Sequence, residues 1–412
     1  MKIRHISKKY EYLADFTSSV AFEFEYDYLK AKAECENEGD YPFSLEMPPD
    51  GWSGIYFGAF TDDESECMAV VQSTPYKIRL DGGEAYMGGV GGVASLPHHR
   101  GTGAVNEVML HILREDRRRG YALDYLFPFS RAYYRRYGFE NAEDCRDWDI
   151  SFKAINELIK TVGEKGRFVM LNAESDLSLL DEIRDRAWDG VNLSTIGERA
   201  SGNYKGKLEK NKIFVYVYYD EEDIPRGYIA FDNDGGVMNC INNFGHPADF
   251  IFDTPDTLRQ MLRFSARAFN SRYHTLRVRL PDFVRLNTIV PELNSASSNI
   301  YAHGMARILN PEDFFGWVAP KGDGEFNVAV TDSFLPENNG VYKISFEDGE
   351  CSAQRCDGAP DIECDIQSLT LLGLGIFGIE EAEYLNGVKI INPDKPYDAV
   401  FYRRKNYVTS LF

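Results

Sequence analysis

The sequence has no Cys-x-x-Cys pair, and its seven cysteines are scattered along the chain. Closely spaced cysteine pairs are the usual signature of structural zinc sites and redox motifs. Cys351, Cys356 and Cys364 lie near one another in sequence, but no histidine is near them. We therefore expect no metal. Free thiols of this kind also predict a reducing, cytoplasmic compartment.

The sequence also lacks a long apolar run. The longest, at residues 369–379, contains glycines and is too short to span a bilayer, and residues 1–9 lack the apolar stretch of a signal peptide. The 412 residues include 65 acidic and 45 basic side chains, which gives a net charge of −20. Such a chain repels nucleic acids and anionic membranes and attracts cationic partners, although solubility alone explains most of the charge. We expect neither a nucleic-acid nor a membrane partner.

The most informative segment is glycine-rich and lies at residues 88–103, GGVGGVASLPHHRGTG. It joins an extended apolar run to a helix predicted at 104–118. A turn of small residues at a helix N-terminus gathers unpaired backbone N–H groups and the positive end of the helix dipole. The segment therefore predicts a site for a phosphate-bearing ligand.

Two common phosphate motifs fit this segment poorly. A P-loop is excluded, because Ala104 and Val105 stand where that motif needs Lys followed by Ser or Thr. A dinucleotide fingerprint is nominally present at residues 89–94, but it would need a helix to begin there. Pro97 and the extended character of residues 86–95 disfavour such a helix. A dinucleotide-binding oxidoreductase remains an alternative.

The third pattern is V-A-x-x-P-x-x-R-G-x-G, at residues 93–103, and it resembles the acetyl-CoA loop of the GNAT acetyltransferase superfamily. A second segment follows farther along the chain. There an apolar run at 123–130 leads into RAYYRRYGFE at 131–140, and its Tyr-x-x-x-Gly-Phe pattern resembles the end of a GNAT core. Two such segments in this order are more specific than either alone.

The rest of the chain divides by its pattern into three parts. The first part is predicted to begin with a helix at 16–35. Strands follow, then the helix at 104–118, a further strand and a short helix. The second repeats this order, with a helix predicted at 254–270, but its loop FGHPADF at 244–250 has no Arg-Gly-x-Gly. It predicts a second GNAT-like fold without a cofactor loop, and an unrelated α/β domain is the alternative. The third part resembles a sterol carrier protein-like domain, for which we expect a structural role.

Together these features resemble the Eis (enhanced intracellular survival) acetyltransferase family over essentially the whole chain. The resemblance implies an α/β (α+β) fold with two tandem GNAT-like folds, the second without a cofactor loop, followed by a sterol carrier protein-like domain. The implied domains are an acetyl-CoA-binding GNAT domain at 1–150, a degenerate GNAT-like domain at 151–295 and the sterol carrier protein-like domain at 296–412. The implied reaction is transfer of acetyl from acetyl-CoA to a primary amine by direct attack on the thioester.

The resemblance also implies the residues that bind acetyl-CoA. Backbone amides where the strand ends would hold the thioester carbonyl and stabilise its oxyanion. The loop and the start of the helix would hold the pyrophosphate, with Arg100 adding charge. Val105 departs from the wider superfamily, which has glycine at that position. The implied cofactor-binding residues are Val93, Ala94, Ser95, Arg100, Gly101, Thr102, Gly103, Ala104, Val105 and Ser130.

Two catalytic groups follow from the same resemblance. Tyr134 matches the family's tyrosine, whose phenol protonates the departing thiolate. A core aromatic is the structural alternative, since Tyr133 and Tyr137 are its neighbours. The family's general base is the chain's own C-terminal carboxylate, here that of Phe412, which would need a partly desolvated position. A frayed terminus is the alternative.

The acceptor is the least determined part of the hypothesis. Glu23, Glu25 and Asp27 alternate with aromatic residues and would suit a cationic amine, although a solvated helix face explains them equally well. Aminoglycoside-like, polyamine and lysine acceptors all fit. The resemblance implies a homo-oligomer, a hexamer. A non-catalytic module that binds acyl-CoA or lipid and regulates a partner is the alternative function.

Overall fold

The computed structural model describes residues 1–38, 55–197, 200–210, 212–242, 248–290 and 296–410. Its internal contacts divide the chain into two compact units. Unit 1 comprises Met1–Ala142 together with Gly304–Arg404, and unit 2 comprises Glu143–His303 together with residues 405–410. No helix in the described part of the chain is both long and apolar enough to cross a membrane.

The first segment of unit 1 has mixed α and β structure. Its helices are α1 (Lys8–Phe22), α2 (Tyr28–Glu38), α3 (Ala104–Arg118) and α4 (Arg131–Arg135), and its strands are β1 (Lys2–His5), β2 (Ile55–Phe60), β3 (Cys67–Leu80), β4 (Gly83–Ser95), β5 (Leu123–Leu126) and β6 (Glu140–Asn141). Helix α3 covers one face of the sheet, because Val108, Met109, Ile112 and Leu113 recur at helical spacing and are all buried in the core.

Unit 2 repeats this mixture of elements. Its helices are α5 (Phe152–Ile159), α6 (Ser178–Ala187), α7 (Ala200–Leu208) and α8 (Pro255–Phe269), and its strands are β7 (Asp144–Ser151), β8 (Arg167–Leu171), β9 (Phe214–Tyr219), β10 (Pro225–Asp234), β11 (Val237–Cys240), β12 (Asp249–Phe252), β13 (Thr275–Pro281) and β14 (Ala296–Ala302).

The second segment of unit 1 adds a further sheet. Its elements are β15 (Met305–Ile308), α9 (Pro311–Phe315), β16 (Gly324–Thr331), β17 (Gly340–Glu347), β18 (Glu350–Cys356), β19 (Ile362–Asp365), α10 (Ile366–Gly373) and β20 (Val388–Ile390). Strands β16 to β20 form a five-stranded sheet in the order β18-β17-β16-β19-β20. Asp365 begins α10 by accepting a hydrogen bond from the Ser368 amide at 2.7 Å.

The two large sheets have the same strand order. Unit 1 has β1-β2-β3-β4-β5-β15-β6, and unit 2 has β8-β9-β10-β11-β13-β7-β14, with β12 added beside β10. Each sheet has one parallel pair at its centre, β4 with β5 and β11 with β13. The second fold predicted from the sequence is therefore present, and its strands follow the order of the first.

A strand from a distant part of the sequence completes each of these sheets. In unit 1, β15 lies between β5 and β6, although it follows β14 in the chain. In unit 2, β7 lies between β13 and β14, although it precedes every other strand of that sheet. The domain boundaries predicted at 150 and 295 leave nearly all of β7 in the first domain and all of β14 in the third. Both strands belong to the sheet of unit 2, so the predicted boundaries and the sheet differ by one strand at each end.

Local predictions agree with the structure where the signals are strong. The helix predicted at 104–118 is α3 as observed, and α8 lies within the predicted 254–270. The single helix predicted at 16–35 is wrong, because Glu23 adopts a left-handed conformation (φ 56°) that ends α1 before α2 begins.

The two segments of unit 1 meet through buried charges. The Arg307 side chain is fully buried on β15, and it donates hydrogen bonds to the Asp332 carboxylate and to the Tyr137 carbonyl oxygen. Arg404 contacts both carboxylate oxygens of Asp81 at 2.8 Å. The Arg307–Asp332 pair lies within the second segment, whereas the bond from Arg307 to Tyr137 and the Arg404–Asp81 pair join the two segments. Because removing one partner of either pair would leave a buried charge uncompensated, these contacts fix how the second segment packs on the first sheet.

Candidate functional site

The candidate site begins where two parallel strands part. Strands β4 and β5 pair at only three positions, the last being Gly89 with Tyr125. Strand β4 then continues to Ser95 along β3, whereas β5 ends at Leu126. The edge of β4 beyond Gly89 has no strand neighbour on the β5 side among the described residues. Such a gap between parallel strands leaves backbone groups free for a ligand.

A bulge in β4 lies within this gap. Val70 pairs with Ala94 and Gln72 pairs with Gly91, so two residues of β4, Gly92 and Val93, lie opposite one residue of β3. Gly92 has φ of +57°. A bulge leaves a residue unpaired and bends the strand. The predicted carbonyl-binding residues Val93, Ala94 and Ser95 thus lie at and just after this irregularity.

The loop after β4 depends on two glycines. A 3-10 turn at Pro97–His99 leads to Arg100, and Gly101 and Gly103 follow with φ of +82° and +87°. No atom lies within 4 Å of the place where a side chain would begin at either glycine. These positions therefore need glycine for the left-handed backbone and not for space.

The helix that follows the loop has an open N-terminus. Gly103 is its N-cap residue and provides no side-chain hydrogen bond to the first turn. The first N–H groups of α3 consequently keep their capacity to bind an anion, assisted by the helix dipole. Arg100, Gly101 and Thr102 are exposed, and Arg100 forms no ion pair with any residue that the structure describes. This end of α3 has the features of an anion site.

Tyr134 lies on the short helix α4. Ser130 begins this helix, because its hydroxyl accepts a hydrogen bond from the Tyr133 amide at 3.4 Å. The Tyr134 side chain is only 3% exposed and packs edge-on against Phe129 and Tyr133. Within the described part of the chain, nothing hydrogen-bonds to its hydroxyl. Burial raises the pKa of the Tyr134 phenol well above its ordinary value, so the group carries its proton at neutral pH.

One contact connects the residues after α4 with the first turn of α3, and a cation stacks on the tyrosines beside it. The Tyr137 hydroxyl donates a hydrogen bond to the Asn106 side-chain oxygen at 2.7 Å. The exposed Arg136 guanidinium stacks over Tyr133 and Tyr137, at 3.9 and 4.7 Å from their ring centroids. The sequence analysis missed Asn106 and Arg136. The spacing of Arg136 three residues after Tyr133 was the signal available for the stacked pair.

Gly138 explains the Gly-Phe part of the tyrosine motif. Its φ is +84°, and a side chain there would begin 2.0 Å from the Arg307 guanidinium. Phe139 is fully buried in the core beside Tyr134. The motif therefore holds α4 in place through a conformation and a close approach that only glycine allows.

The structure brings most of the predicted residues together and separates others. The loop residues 100–105 surround the open end of α3, and Ser130 serves as a helix cap. Phe412 lies outside the described residues. Glu23, Glu25 and Asp27 are exposed between α1 and α2, and do not share one helix face. The Asp27 carboxylate instead accepts the Lys30 amide at 3.0 Å in the first turn of α2.

Two parts of the chain match known protein families. Residues 43–142 match the GNAT acetyltransferase domain, and residues 313–408 match the sterol carrier protein domain. The chain therefore carries an enzyme domain of the GNAT acetyltransferase type. The open end of α3 and the parted strands lie within this GNAT domain, as does Tyr134. A comparison with curated proteins finds no significant sequence match.

Solved structures share the fold of the whole chain. A probable N-acyltransferase from Enterococcus faecalis has a TM-score of 0.80 at 18% identity, with 100% of this chain and 99% of that chain covered. A GCN5-related N-acetyltransferase from Anabaena variabilis has a TM-score of 0.77 at 16% identity, and Eis1 from Mycobacterium abscessus has 0.75 at 17%, both with full coverage of each chain. The architecture of two tandem GNAT-like folds and a sterol carrier protein-like domain is thus that of Eis-like proteins, as the sequence implied.

Proposed function

We propose that the protein is an acetyl-CoA-dependent N-acetyltransferase that transfers acetyl to a primary amine by direct attack on the thioester. The observation that carries this proposal is the uncapped N-terminus of α3 beside the parted strands β4 and β5. The phosphates of the co-substrate suit the open N-terminus of α3, and its acyl end must reach the free edge of a strand. Both features are therefore explained by one ligand. The proposed division into functions is a catalytic domain at 1–150, a degenerate GNAT-like domain at 151–295 and a sterol carrier protein-like domain at 296–412.

The residues present fit acetyl-CoA, which would supply the activated acetyl group. Residues 100–105 would hold its pyrophosphate through backbone N–H groups, with the unpaired Arg100 adding a charge-assisted bond. The bulged backbone at Val93 to Ser95 would donate to the thioester carbonyl and stabilise the oxyanion that develops there. Arg136, stacked on Tyr133 and Tyr137, would extend the positive surface near this end of α3.

Two proton transfers complete the proposed mechanism. Tyr134 would deliver a proton to the departing thiolate. Transfer from a phenol of ordinary pKa to a thiolate of pKa about 8.5 is uphill by roughly 2 kcal/mol, and the raised pKa of Tyr134 adds to this. Tyr134 would therefore donate its proton only while the carbon–sulfur bond is breaking. Attack on the thioester by an amine that has already lost its proton would drive this bond breaking.

The resemblance assigns removal of the amine proton to the Phe412 carboxylate. The residues just before it are well held within unit 2. Ser410 is 2% exposed and its hydroxyl lies 2.7 Å from that of Thr195, while the Thr409 carbonyl oxygen accepts a hydrogen bond from Arg184 at 3.1 Å. The described chain is therefore held in place up to Ser410.

The remaining proposals concern acceptor, assembly and location. We infer a cationic amine acceptor of the aminoglycoside, polyamine or lysine class, because the chain carries a net charge of −20. The family resemblance supports a homo-oligomer, a hexamer, and the scattered free cysteines support a cytoplasmic location.

A thiol-release assay tests the function. Acetyl-CoA is incubated with the full chain and a panel of an aminoglycoside, a polyamine and a lysine-containing peptide, and free CoA thiol is followed. Turnover on at least one amine is expected. Tight CoA binding without turnover on any amine would favour the regulatory acyl-CoA-binding module instead.

Tyr134→Phe tests the general acid. We expect turnover to fall by about a hundredfold or more, the usual contribution of a general acid, while CoA affinity stays the same. Tyr384→Phe is the matched control, because Tyr384 is 72% exposed in the second segment of unit 1. Equal turnover in the two variants would remove Tyr134 from the mechanism. Extra residues after Phe412 should also reduce turnover, and a fully active extended chain would exclude the carboxylate base.

A further inference from the structure

A group of metal-ligating side chains lies directly before the acetyl-CoA loop. His98 and His99 form the end of the 3-10 turn at Pro97–His99, and Glu66 directly precedes β3. The His98 Nε2 atom lies 3.3 Å from one Glu66 carboxylate oxygen, and the His99 Nε2 atom lies 2.9 Å from the other. One donor atom from each residue can be chosen so that all three lie within 4.8 Å of one another.

These distances match the edges of a small coordination tetrahedron. Zn²⁺ binds imidazole nitrogen and carboxylate oxygen at about 2.0–2.2 Å, so two ligand atoms on a regular tetrahedron are about 3.4 Å apart. The Glu66 oxygen nearest His99 lies 2.9 Å from the His99 Nε2 atom and 3.5 Å from the His98 Nε2 atom, so both separations are within half an ångström of that value. All three donor atoms lie within 4.8 Å of one another.

We propose that Glu66, His98 and His99 form a Zn²⁺ site with a solvent water as fourth ligand. Two imidazoles and one carboxylate are a donor set that suits zinc, and three protein ligands leave one position open. The site itself is independent of the acetyltransferase function, whereas its effect on CoA rests on that proposed function. It also revises the expectation of no metal, which rested on the cysteines alone.

The exposure of the three side chains indicates an exchangeable ion. The His99 side chain is 17% exposed, whereas those of Glu66 and His98 are 43% and 58% exposed. An ion can therefore enter from solvent. Surface ligands of this kind predict moderate affinity and removal by a chelator.

The site is joined to the acetyl-CoA loop by the backbone of His99. The His99 carbonyl oxygen accepts a hydrogen bond from the Thr102 hydroxyl at 2.8 Å, and Thr102 lies between the two left-handed glycines. An ion that fixes His99 therefore also restrains Thr102, and its charge favours an anion at the loop. We expect zinc to strengthen CoA binding several-fold.

A titration with Zn²⁺ and Co²⁺ tests the site in the full chain after treatment with a chelator. Calorimetry should show one site per chain, and Co²⁺ should give the visible absorption of tetrahedral nitrogen and oxygen ligation. Glu66→Gln and His99→Gln should each weaken binding at least tenfold. His111→Gln is the matched control, because His111 is an exposed histidine of α3 outside the group. Unchanged thermal unfolding of each variant shows that the fold is intact.

Two results would overturn the site. One is equal metal affinity in wild type, Glu66→Gln and His99→Gln. The other is a Co²⁺ spectrum dominated by thiolate charge transfer that disappears in Cys356→Ser, since Cys356 is the only one of the seven cysteines that is not buried. A CoA affinity that responds to zinc in wild type but not in Glu66→Gln supports the link to the loop, and an identical response in both contradicts it.

Discussion

The two GNAT-like folds differ most at one strand-to-helix connection. In unit 1, residues 96–103 join β4 to α3 through two left-handed glycines, and no side chain caps the helix. In unit 2, only two residues join β12 to α8. There the Thr254 hydroxyl accepts a hydrogen bond from the Thr257 amide at 3.1 Å, and Pro255 begins the helix.

The N-terminus of α3 is therefore free to bind an anion, whereas the N-terminus of α8 is closed by its cap and its proline. A side-chain cap satisfies an N–H group that a phosphate would otherwise bind, and proline at the first position has no N–H to offer. The same place in the same strand order is therefore open to an anion in unit 1 and closed in unit 2. The loop expected at 244–250 as the counterpart of the acetyl-CoA loop is therefore misplaced, because it begins in residues 243–247 outside the described part of the chain and ends inside β12, and the counterpart in strand order is the connection at residues 253–254.

The largest expected effect comes from stiffening the open loop. The double variant Gly101→Ala/Gly103→Ala should weaken CoA binding by tenfold or more, because each left-handed position costs an L-residue about 1–2 kcal/mol and the loop must change shape. Binding is measured by calorimetry. Gly82→Ala is the control, since Gly82 has φ of +84° with nothing within 4 Å but lies in the turn between β3 and β4. Equal CoA affinity in both variants would show that the loop does not bind CoA.

Removing the Arg100 cation of the loop, which has no ion-pair partner among the described residues, should have the next largest effect. Arg100→Ala is expected to weaken CoA binding about tenfold, the size of a lost charge-assisted hydrogen bond. The kcat/KM for acetyl-pantetheine, which has no pyrophosphate, should stay unchanged because the charge acts only on phosphate. Arg118→Ala, an exposed arginine at the other end of α3, serves as control. A parallel loss with both acetyl donors would place Arg100 elsewhere in the mechanism.

Buried carboxylates provide a second comparison between the units. In unit 2, Asp249 is paired with Arg184 at 2.9 Å. In unit 1, Asp116 of α3 and Asp124 of β5 are buried beside Gly88, where a side chain would begin within 2.7 Å of both carboxylates. Burial raises the pKa of Asp116 to about 7 and that of Asp124 well above its ordinary value. The folded state thus holds protons that the unfolded chain loses near pH 4.

Stability should consequently fall as the pH rises from about 4 toward 7, by up to 1.4 kcal/mol per pH unit for each proton that only the folded state holds. Asp124→Asn removes one carboxylate, so its stability relative to wild type should improve steadily over this range. Urea unfolding at pH 5, 6 and 7 measures the change. Asp357→Asn, an exposed control, should run parallel to wild type. A pH profile of Asp124→Asn that is parallel to wild type would contradict a raised pKa of Asp124 in the folded state.

The smallest effect is expected from the closed helix end. Thr254→Ala should destabilise the protein by about 1 kcal/mol through loss of the cap of α8. It should leave CoA affinity unchanged, because this helix end binds no phosphate. Chemical unfolding and calorimetry measure the two quantities, with the exposed Thr331→Ala as control. A drop in CoA affinity would mean that unit 2 takes part in binding CoA.

Local signals in the sequence were enough for the helices that flank these connections. The glycines before Ala104 and the N-cap residue Thr254 are signals that span only a few residues. They predict where α3 and α8 begin. Local signals did not predict that β7 joins the sheet of unit 2 or that β15 joins the first sheet of unit 1. This arrangement depends on pairing between strands more than a hundred residues apart, such as β7 with β13, and no local pattern encodes it.

The same limit applies within the site. The loop glycines and Tyr134 were found because each belongs to a short motif. Glu66 was missed as a partner of His98 and His99, since it lies 32 residues before His98 and reaches it only because β3 and β4 pair. Arg307, which requires glycine at 138, likewise reaches Tyr137 from 170 residues away.

The number of CoA molecules bound per chain tests the contrast between the two folds most directly. Calorimetric titration of the full chain with CoA is expected to give one site, which Gly101→Ala/Gly103→Ala weakens and Thr254→Ala leaves intact. Two sites per chain, or one site that persists unchanged in the glycine variant, would contradict the assignment of CoA binding to the open end of α3.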